Sequence, residues 1–138
     1  MFERCLYFNT NHLSRVVSRI WAGAYSELGL SPAHAYLLRL VLEQPGLVQK
    51  EIAAELNLEK STITRFIDKM VDEGYLLRKA STAGNHKEQC IFPTPKARKI
   101  ETRLNDIGNE LYAKMRQQVS ADDLVALVAL ERLASTKL

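Results

Sequence analysis

Cysteine is nearly absent from this chain. Cys5 and Cys90 are the two it has, too few and too far apart for a disulfide framework or a zinc knuckle, so they read as plain thiols. Long hydrophobic runs are missing too. No stretch approaches the roughly 20 apolar residues of a membrane span, and the opening MFERCLYFNT has an acid in third place and no apolar core, unlike a signal peptide. The expected location is cytoplasmic, with no membrane partner. Catalytic signatures are lacking as well: there is no Gly-rich phosphate loop, no His-Glu-x-x-His, no Gly-x-Ser-x-Gly and no carboxylate cluster. The three histidines, His12, His34 and His86, fall in three different elements. A metal site from His12 and His34 lacks a nearby cysteine or acidic pair, so no enzyme activity, cofactor or metal is expected.

What is present fits one globular domain: 138 residues, 46% hydrophobic and 25% charged, enough for a real core. The formal net charge of +3 says less than its distribution. From Arg78 to Arg103 seven cations (Arg78, Lys79, Lys87, Lys96, Arg98, Lys99, Arg103) stand against Glu88 and Glu101, a local excess of five. From Pro45 to Tyr75, Lys50, Lys60, Arg65 and Lys69 are outnumbered by six acids.

Most of the chain reads as helix. Leu13, Val16, Val17, Ile20, Trp21, Ala24 and Leu28 form a stripe at spacings of three and four, ended by Gly29. SPAHAYLLRLVLEQPG gives Ser31 as N-cap, Pro32 at the first helical position and Pro45-Gly46 as a stop. VQKEIAAELNL is a short amphipathic helix that Asn57 can close in the left-handed conformation. In NLEKSTITRFIDKMVDEGYLLRK, Ile63, Phe66, Ile67, Met70 and Val71 make one stripe and Gly74 stops it. The opposite face is polarised: Lys60, Ser61, Thr62 and Arg65 lie early, and Asp68, Asp72 and Glu73 lie late.

That order suits a helix entering the major groove N-terminus first. There the helix dipole favours phosphate, short hydroxyls reach base edges and phosphates, and an arginine can grip guanine through two hydrogen bonds. The contact set expected for DNA is Lys60, Ser61, Thr62, Thr64, Arg65 and Lys69. An ordinary solvated face whose hydroxyls help to cap the helix is the alternative. Behind this helix YLLRKASTAGNHKEQCIFPTP reads as strand, polar loop around Ala83-Gly84-Asn85, and strand, closed by Pro93. A hairpin following a helix-turn-helix describes a winged helix. Its tip offers His86 and Lys87 to a phosphate or the minor groove.

These segments resemble the MarR-type bacterial transcription regulators. ELGLSPAHAYLLRLV is similar to the end of that family's first helix and its second. GLVQKEIAAELNLEKSTITRFIDKMVDEGYLLR is similar to its helix-turn-helix, and NHKEQCIFPTPKA lies where it has its wing. The family wing commonly reads Asp-x-Arg, then Leu-Thr and a Gly, where this chain has Asn85, Lys87, Pro93-Thr94 and Ala97. Lys87 keeps the charge but lacks arginine's planar fork, which implies a shallower wing contact. Val48 replaces the hydroxyl usual at the opening of the third helix, removing an N-cap.

Thr94 and Pro95 start a helix with Ile100, Leu104, Ile107, Leu111 and Met115 repeating about every 3.5 residues, and it should run roughly 35 Å. SADDLVALVALERLASTKL opens with Ser120-x-x-Asp123 and is apolar on more than one side, through Leu124, Leu127, Val128, Leu130 and Leu133. A second copy should cover that surface; an intramolecular helical hairpin is the alternative. The expected fold is mainly α with a small β-hairpin wing. Residues 31–94 form the DNA-binding winged helix-turn-helix, and 1–30 with 95–138 form the dimerisation helices. The expected partners are a second copy and double-stranded DNA carrying a palindromic operator.

Resemblance to the phenolic-ligand members of the family implies a crease for a small aromatic molecule, lined by Tyr7, Trp21, Tyr25, Tyr36 and Tyr112. Resemblance to the peroxide-sensing members draws attention to Cys5, although alignment through Glu27-Leu28-Gly29-Leu30 puts their cysteine's place on Tyr7. The function expected is therefore a dimeric, sequence-specific regulator, a repressor released by a ligand or by thiol oxidation. The rival is a protein-interaction winged helix without specific DNA binding.

Overall fold

Among the residues that the computed structural model describes, 1–80 and 88–138, the chain forms six α-helices and three short strands. The first helix, α1 (Leu6–Tyr25), tightens into a 3₁₀ turn at Ser26–Leu28 before Gly29. In α2 (Pro32–Glu43) the Ser31 hydroxyl accepts the His34 N–H at 3.3 Å, and Pro32 occupies the first position, where its missing N–H costs nothing. Ala35, Leu37, Leu38, Val41 and Leu42 of α2 are buried.

The residues after α2 depart from the sequence-based expectation. Leu47–Val48 form a strand, β1, paired antiparallel with Ile91 and Cys90. The hydroxyl whose loss Val48 represents would have capped α3 (Gln49–Leu56); instead the Glu51 carboxylate accepts the Val48 N–H at 2.9 Å, one half of a capping box. Gly46, at φ 92°, lies so close to the Phe92 ring that a Cβ there would sit 3.3 Å from it. The positive φ favours glycine at the entry to β1, and any side chain there would also press on the Phe92 ring.

Asn57 closes α3 in the left-handed region (φ 52°, ψ 44°), which asparagine tolerates better than most residues. The turn leads into α4 (Lys60–Asp72). Ile63, Ile67 and Met70 of α4 are fully buried, each contributing about 1.5–3 kcal/mol. An isolated helix of this length would be marginal in water; the buried stripe makes it permanent. At its end the Tyr75 N–H bonds the Met70 carbonyl at 2.9 Å and Gly74 has φ 80°, the reversal that sends the chain into β2 (Leu76–Ala80). β3 (Gln89–Pro93) returns antiparallel, pairing Leu76 with Pro93 and Ala80 with Gln89. The sheet order is β1-β3-β2.

The Thr94 hydroxyl accepts the Ala97 N–H at 3.3 Å and donates to the Gly74 carbonyl at 2.6 Å. It thereby starts α5 (Pro95–Gln118) and ties it to the end of α4. α5 rises about 36 Å at 1.5 Å per residue. Ser120 caps α6 (Ala121–Lys137) by accepting the Asp123 N–H at 3.2 Å. The chain divides into two compact units, Met1–Asn105 and Asp106–Leu138. The core of the first is built from Tyr25, Leu37, Leu38, Val41, Ile52, Ile63, Ile67, Met70, Leu76 and Ile91, all essentially inaccessible. In the second, Ile107 and Leu111 are buried while α6 leaves Val125, Leu127, Val128, Leu130 and Leu133 exposed. No helix among the described residues is long and apolar enough to cross a membrane.

Candidate nucleic-acid interface

The geometry of α4 follows from its stripe: with Ile63, Ile67 and Met70 facing the core, Lys60, Ser61 and Arg65 are exposed on its early turns. Ser61 and Arg65 are four residues apart and so share a face. Glu59 occupies the N-cap position without a side-chain bond, which leaves the first N–H groups of α4 open to an anion. Of the remaining residues expected to touch DNA, Thr62 and Thr64 are half-buried. The Thr64 hydroxyl donates to the Lys60 carbonyl at 2.9 Å and accepts from the Gln49 side-chain amide of α3. Lys69 is exposed and loosely paired with Glu73 at 4.0 Å, a contact contributing about 0.3–0.5 kcal/mol at most. His86 and Lys87, with Asn85, lie outside the described residues.

The basic segment is less available than its composition implied. Arg78 pairs with Asp68, fastening β2 to α4. Arg103 forks onto the Glu27 carboxylate at 2.9 and 2.5 Å, and that bond holds the Glu27 pKa below its ordinary value. Arg98 binds Glu101 at 3.1 Å and the Leu42 carbonyl at 3.2 Å. Lys96 donates to the Glu73 carbonyl at 2.6 Å and stands 4.3 Å above the Tyr75 ring. Arg78, Arg98 and Lys96 thus brace the winged helix, while Arg103 ties α5 to the 3₁₀ turn after α1.

His34 also joins elements: its ring lies 4.7 Å from that of Phe66 in α4, and Nδ1 is 2.5 Å from the Ser31 hydroxyl. Burial, helped by Lys69 and opposed by Glu73, holds its pKa below the ordinary 6.5. His12 is exposed on α1. Among the described residues no group of three or more His, Cys, Asp or Glu is placed to hold a metal ion.

Three of the five aromatics expected to line a crease come together between α1 and α2. The Trp21 indole donates to the Tyr36 hydroxyl at 3.1 Å, and the Tyr25 and Tyr36 rings meet edge-on at 6.2 Å. Arg39 completes the group. Its guanidinium lies 5.3 Å from the Tyr36 ring centroid, and its Nε donates to Asn105 at 3.2 Å. Tyr25 is 0% exposed and its hydroxyl makes no well-aligned hydrogen bond, although Arg39 and Tyr36 lie close enough to act on it; burial, the largest influence, raises its pKa. Tyr7 is 78% exposed near the start of α1, and Tyr112 belongs to the second unit, beside Arg116. Arg39 escaped the sequence reading, although its position three residues after Tyr36 on one helix was the available signal.

Cys5 is the N-cap of α1, its sulfur accepting the Phe8 N–H at 3.5 Å. The Asn9 amide bonds the carbonyls of Phe2, Glu3 and Cys5, the last at 2.8 Å, and pins this turn onto the helix.

Residues 30–83 match the model of the MarR family. The HTH-type transcriptional regulator YybA of Bacillus subtilis (strain 168) is 26% identical over 96 residues. That stretch is 70% of this chain and 63% of YybA, so less than two thirds of the relative's length is spanned. Among solved structures, the transcriptional repressor CouR bound to a 23-mer DNA duplex has a TM-score of 0.86 at 18% identity, covering 97% of this chain and 94% of that one. The PcaV transcriptional regulator from Streptomyces coelicolor, in complex with its natural ligand, also has a TM-score of 0.86 at 18% identity, covering 99% and 96%. At such identities the likeness is one of fold. The helix-turn-helix matched by the MarR family model and the winged-helix architecture of the fold neighbours agree, and the matched relatives are named as transcriptional regulators.

Proposed function

We propose that the protein is a sequence-specific DNA-binding repressor that acts as a homodimer on a palindromic operator and is released by a small aromatic ligand. The observation that carries the first part is the layout of α4. Lys60, Ser61 and Arg65 stand exposed at an N-terminus with no side-chain cap, and Asp68, Asp72 and Glu73 are kept to the far end. This end-to-end polarity suits entry into a major groove, where the early turns meet bases and phosphates and the acids stay clear of the backbone. A helix docking on protein has no need of it. The fold neighbours support the reading, since one of them was solved on a DNA duplex and another with its natural ligand.

In this reading residues 31–94 contact DNA, His86 and Lys87 included, and the helices of 1–30 and 95–138 hold the second copy. The exposed apolar face of α6 supplies the motive for pairing. The ligand site is the group of Trp21, Tyr25, Tyr36 and Arg39, and the observation favouring it is the Tyr25 hydroxyl, buried beside Arg39 and Tyr36 without a well-aligned hydrogen bond. An aromatic molecule carrying a carboxylate would satisfy that hydroxyl and place its charge near Arg39. Oxidation of Cys5 is the other route to release.

Selection of bound duplexes from random DNA tests the proposal. An inverted repeat with half-site centres about 10 base pairs apart is expected. Enrichment of nothing beyond general duplex would favour the protein-interaction alternative.

A further inference from the structure

Thr64 stood among the residues expected to touch DNA, yet its hydroxyl is already engaged on both sides. It donates to the Lys60 carbonyl one turn back and accepts from the Gln49 Nε2, which also lies 3.4 Å from that carbonyl. Gln49 is the first residue of α3 and follows directly on β1, whose Val48 pairs with Cys90 of β3. A polar connection therefore runs from the sheet through Gln49 to the opening turn of α4. α3 and α4 are packed in contact, and the buried side chains of the two helices are apolar, Ile52 and Ala53 on α3 and Ile63, Ile67 and Met70 on α4. Such an apolar contact resists separation but has no preferred angle about the helix axis. A hydrogen bond does have one, because it weakens steeply once donor and acceptor are misaligned.

We infer that Gln49 is a positioning residue for base reading: its bond to Thr64 fixes the roll of α4 and thus the aim of Ser61 and Arg65. The inference rests on the proposed reading of DNA by α4. A roll of about 15° would carry a side-chain end about 6 Å from the helix axis through roughly 1.5 Å, more than a two-pronged contact to a base edge tolerates. Thr64 then shapes sequence preference without touching a base.

The test uses the full chain with Gln49→Ala, Thr64→Val, the double variant and Thr64→Ser, and measures affinity for the selected operator and for random duplex, with Tm as a check on folding. Each of the first two should lower the ratio of operator to random affinity about three- to tenfold, the worth of one neutral hydrogen bond, and leave random-duplex affinity within about twofold. The double variant should be no worse than either single one, and Thr64→Ser, which keeps the hydroxyl, should match wild type. If Gln49→Ala fails to fold, Thr64→Val against Thr64→Ser carries the comparison. Additive losses, or a Thr64→Val loss confined to one base pair in both backgrounds, would make Thr64 a direct reader and overturn the inference. Equal losses on both duplexes would reduce the bond to a general brace and overturn it too. A wild-type chain with no operator preference overturns base reading itself, whereas a preference untouched by Gln49→Ala overturns only the role of Gln49.

Discussion

Replacing Tyr25 by Phe removes one oxygen from the best-buried aromatic of the chain and leaves the ring. Tyr25 is 0% exposed and its hydroxyl forms no well-aligned hydrogen bond, so folding strips that group of water in exchange for only the weak contacts of Arg39 and Tyr36. Leaving a buried hydroxyl unpaired costs about 1–3 kcal/mol, while the void left by one oxygen costs less, under about 1.5 kcal/mol. The edge-on contact with Tyr36 survives, because it depends on the rings. The net expectation without ligand is a gain of about 1 kcal/mol, which for a chain of this size raises Tm by roughly 3–5 °C. With ligand the order should invert in one respect. A wild-type site filled at 100 times its Kd gains about 2.7 kcal/mol, and the variant, lacking one hydrogen bond, should bind about three- to tenfold more weakly. Thermal melts at one protein concentration, with and without benzoate and the hydroxybenzoates, read both effects. A fall of several degrees in the unliganded Tyr25→Phe variant would mean that the hydroxyl is satisfied in the folded protein, and the reasoning for a ligand there would go with it.

Two further expectations follow from exposed and half-buried groups. Leu130 is 63% exposed on α6; Leu130→Glu should convert a micromolar dimer to folded monomer in sedimentation, because two-fold symmetry buries the charge twice, and an unchanged dimer would put the interface elsewhere. His34 has a folded pKa below its ordinary 6.5, so the unfolded chain binds more protons beneath that pH and stability should be lost as pH falls from about 7 through 6.5 towards the folded pKa. His34→Gln, which keeps a capping-box partner for Ser31, should flatten that slope in urea midpoints; an equal slope would assign the pH dependence to another group.

The helices were legible because their signals are local. Ser31 and Pro32, the Asn57 turn, the stripe of α4 and the Thr94 start each depend on residues within one or two turns. β1 was not, since two residues have no readable alternation and their partner strand lies far along the chain. A shorter separation, but still one between two helices, hid the bond from Gln49 to Thr64, so the hydroxyl of a threonine that the spacing offered to DNA is bonded to α3. Segment charge misled for a related reason. The excess between Arg78 and Arg103 ignored acids outside the segment, and Asp68 and Glu27 take up Arg78 and Arg103. Of the five aromatics assigned to a crease, Trp21, Tyr25 and Tyr36 stand in contact, whereas Tyr7 is 78% exposed, a difference set by helix packing that composition does not encode.

The central claim is that α4 reads base sequence through its exposed early turns, and Arg65 is the residue on which it depends most. The direct measurement is the affinity of wild type and Arg65→Ala for the selected operator and for random duplex of equal length at one salt concentration. The claim predicts that the substitution lowers operator preference by about 1–3 kcal/mol and weakens random-duplex binding much less. Equal weakening on both duplexes, or no weakening on the operator, would contradict it.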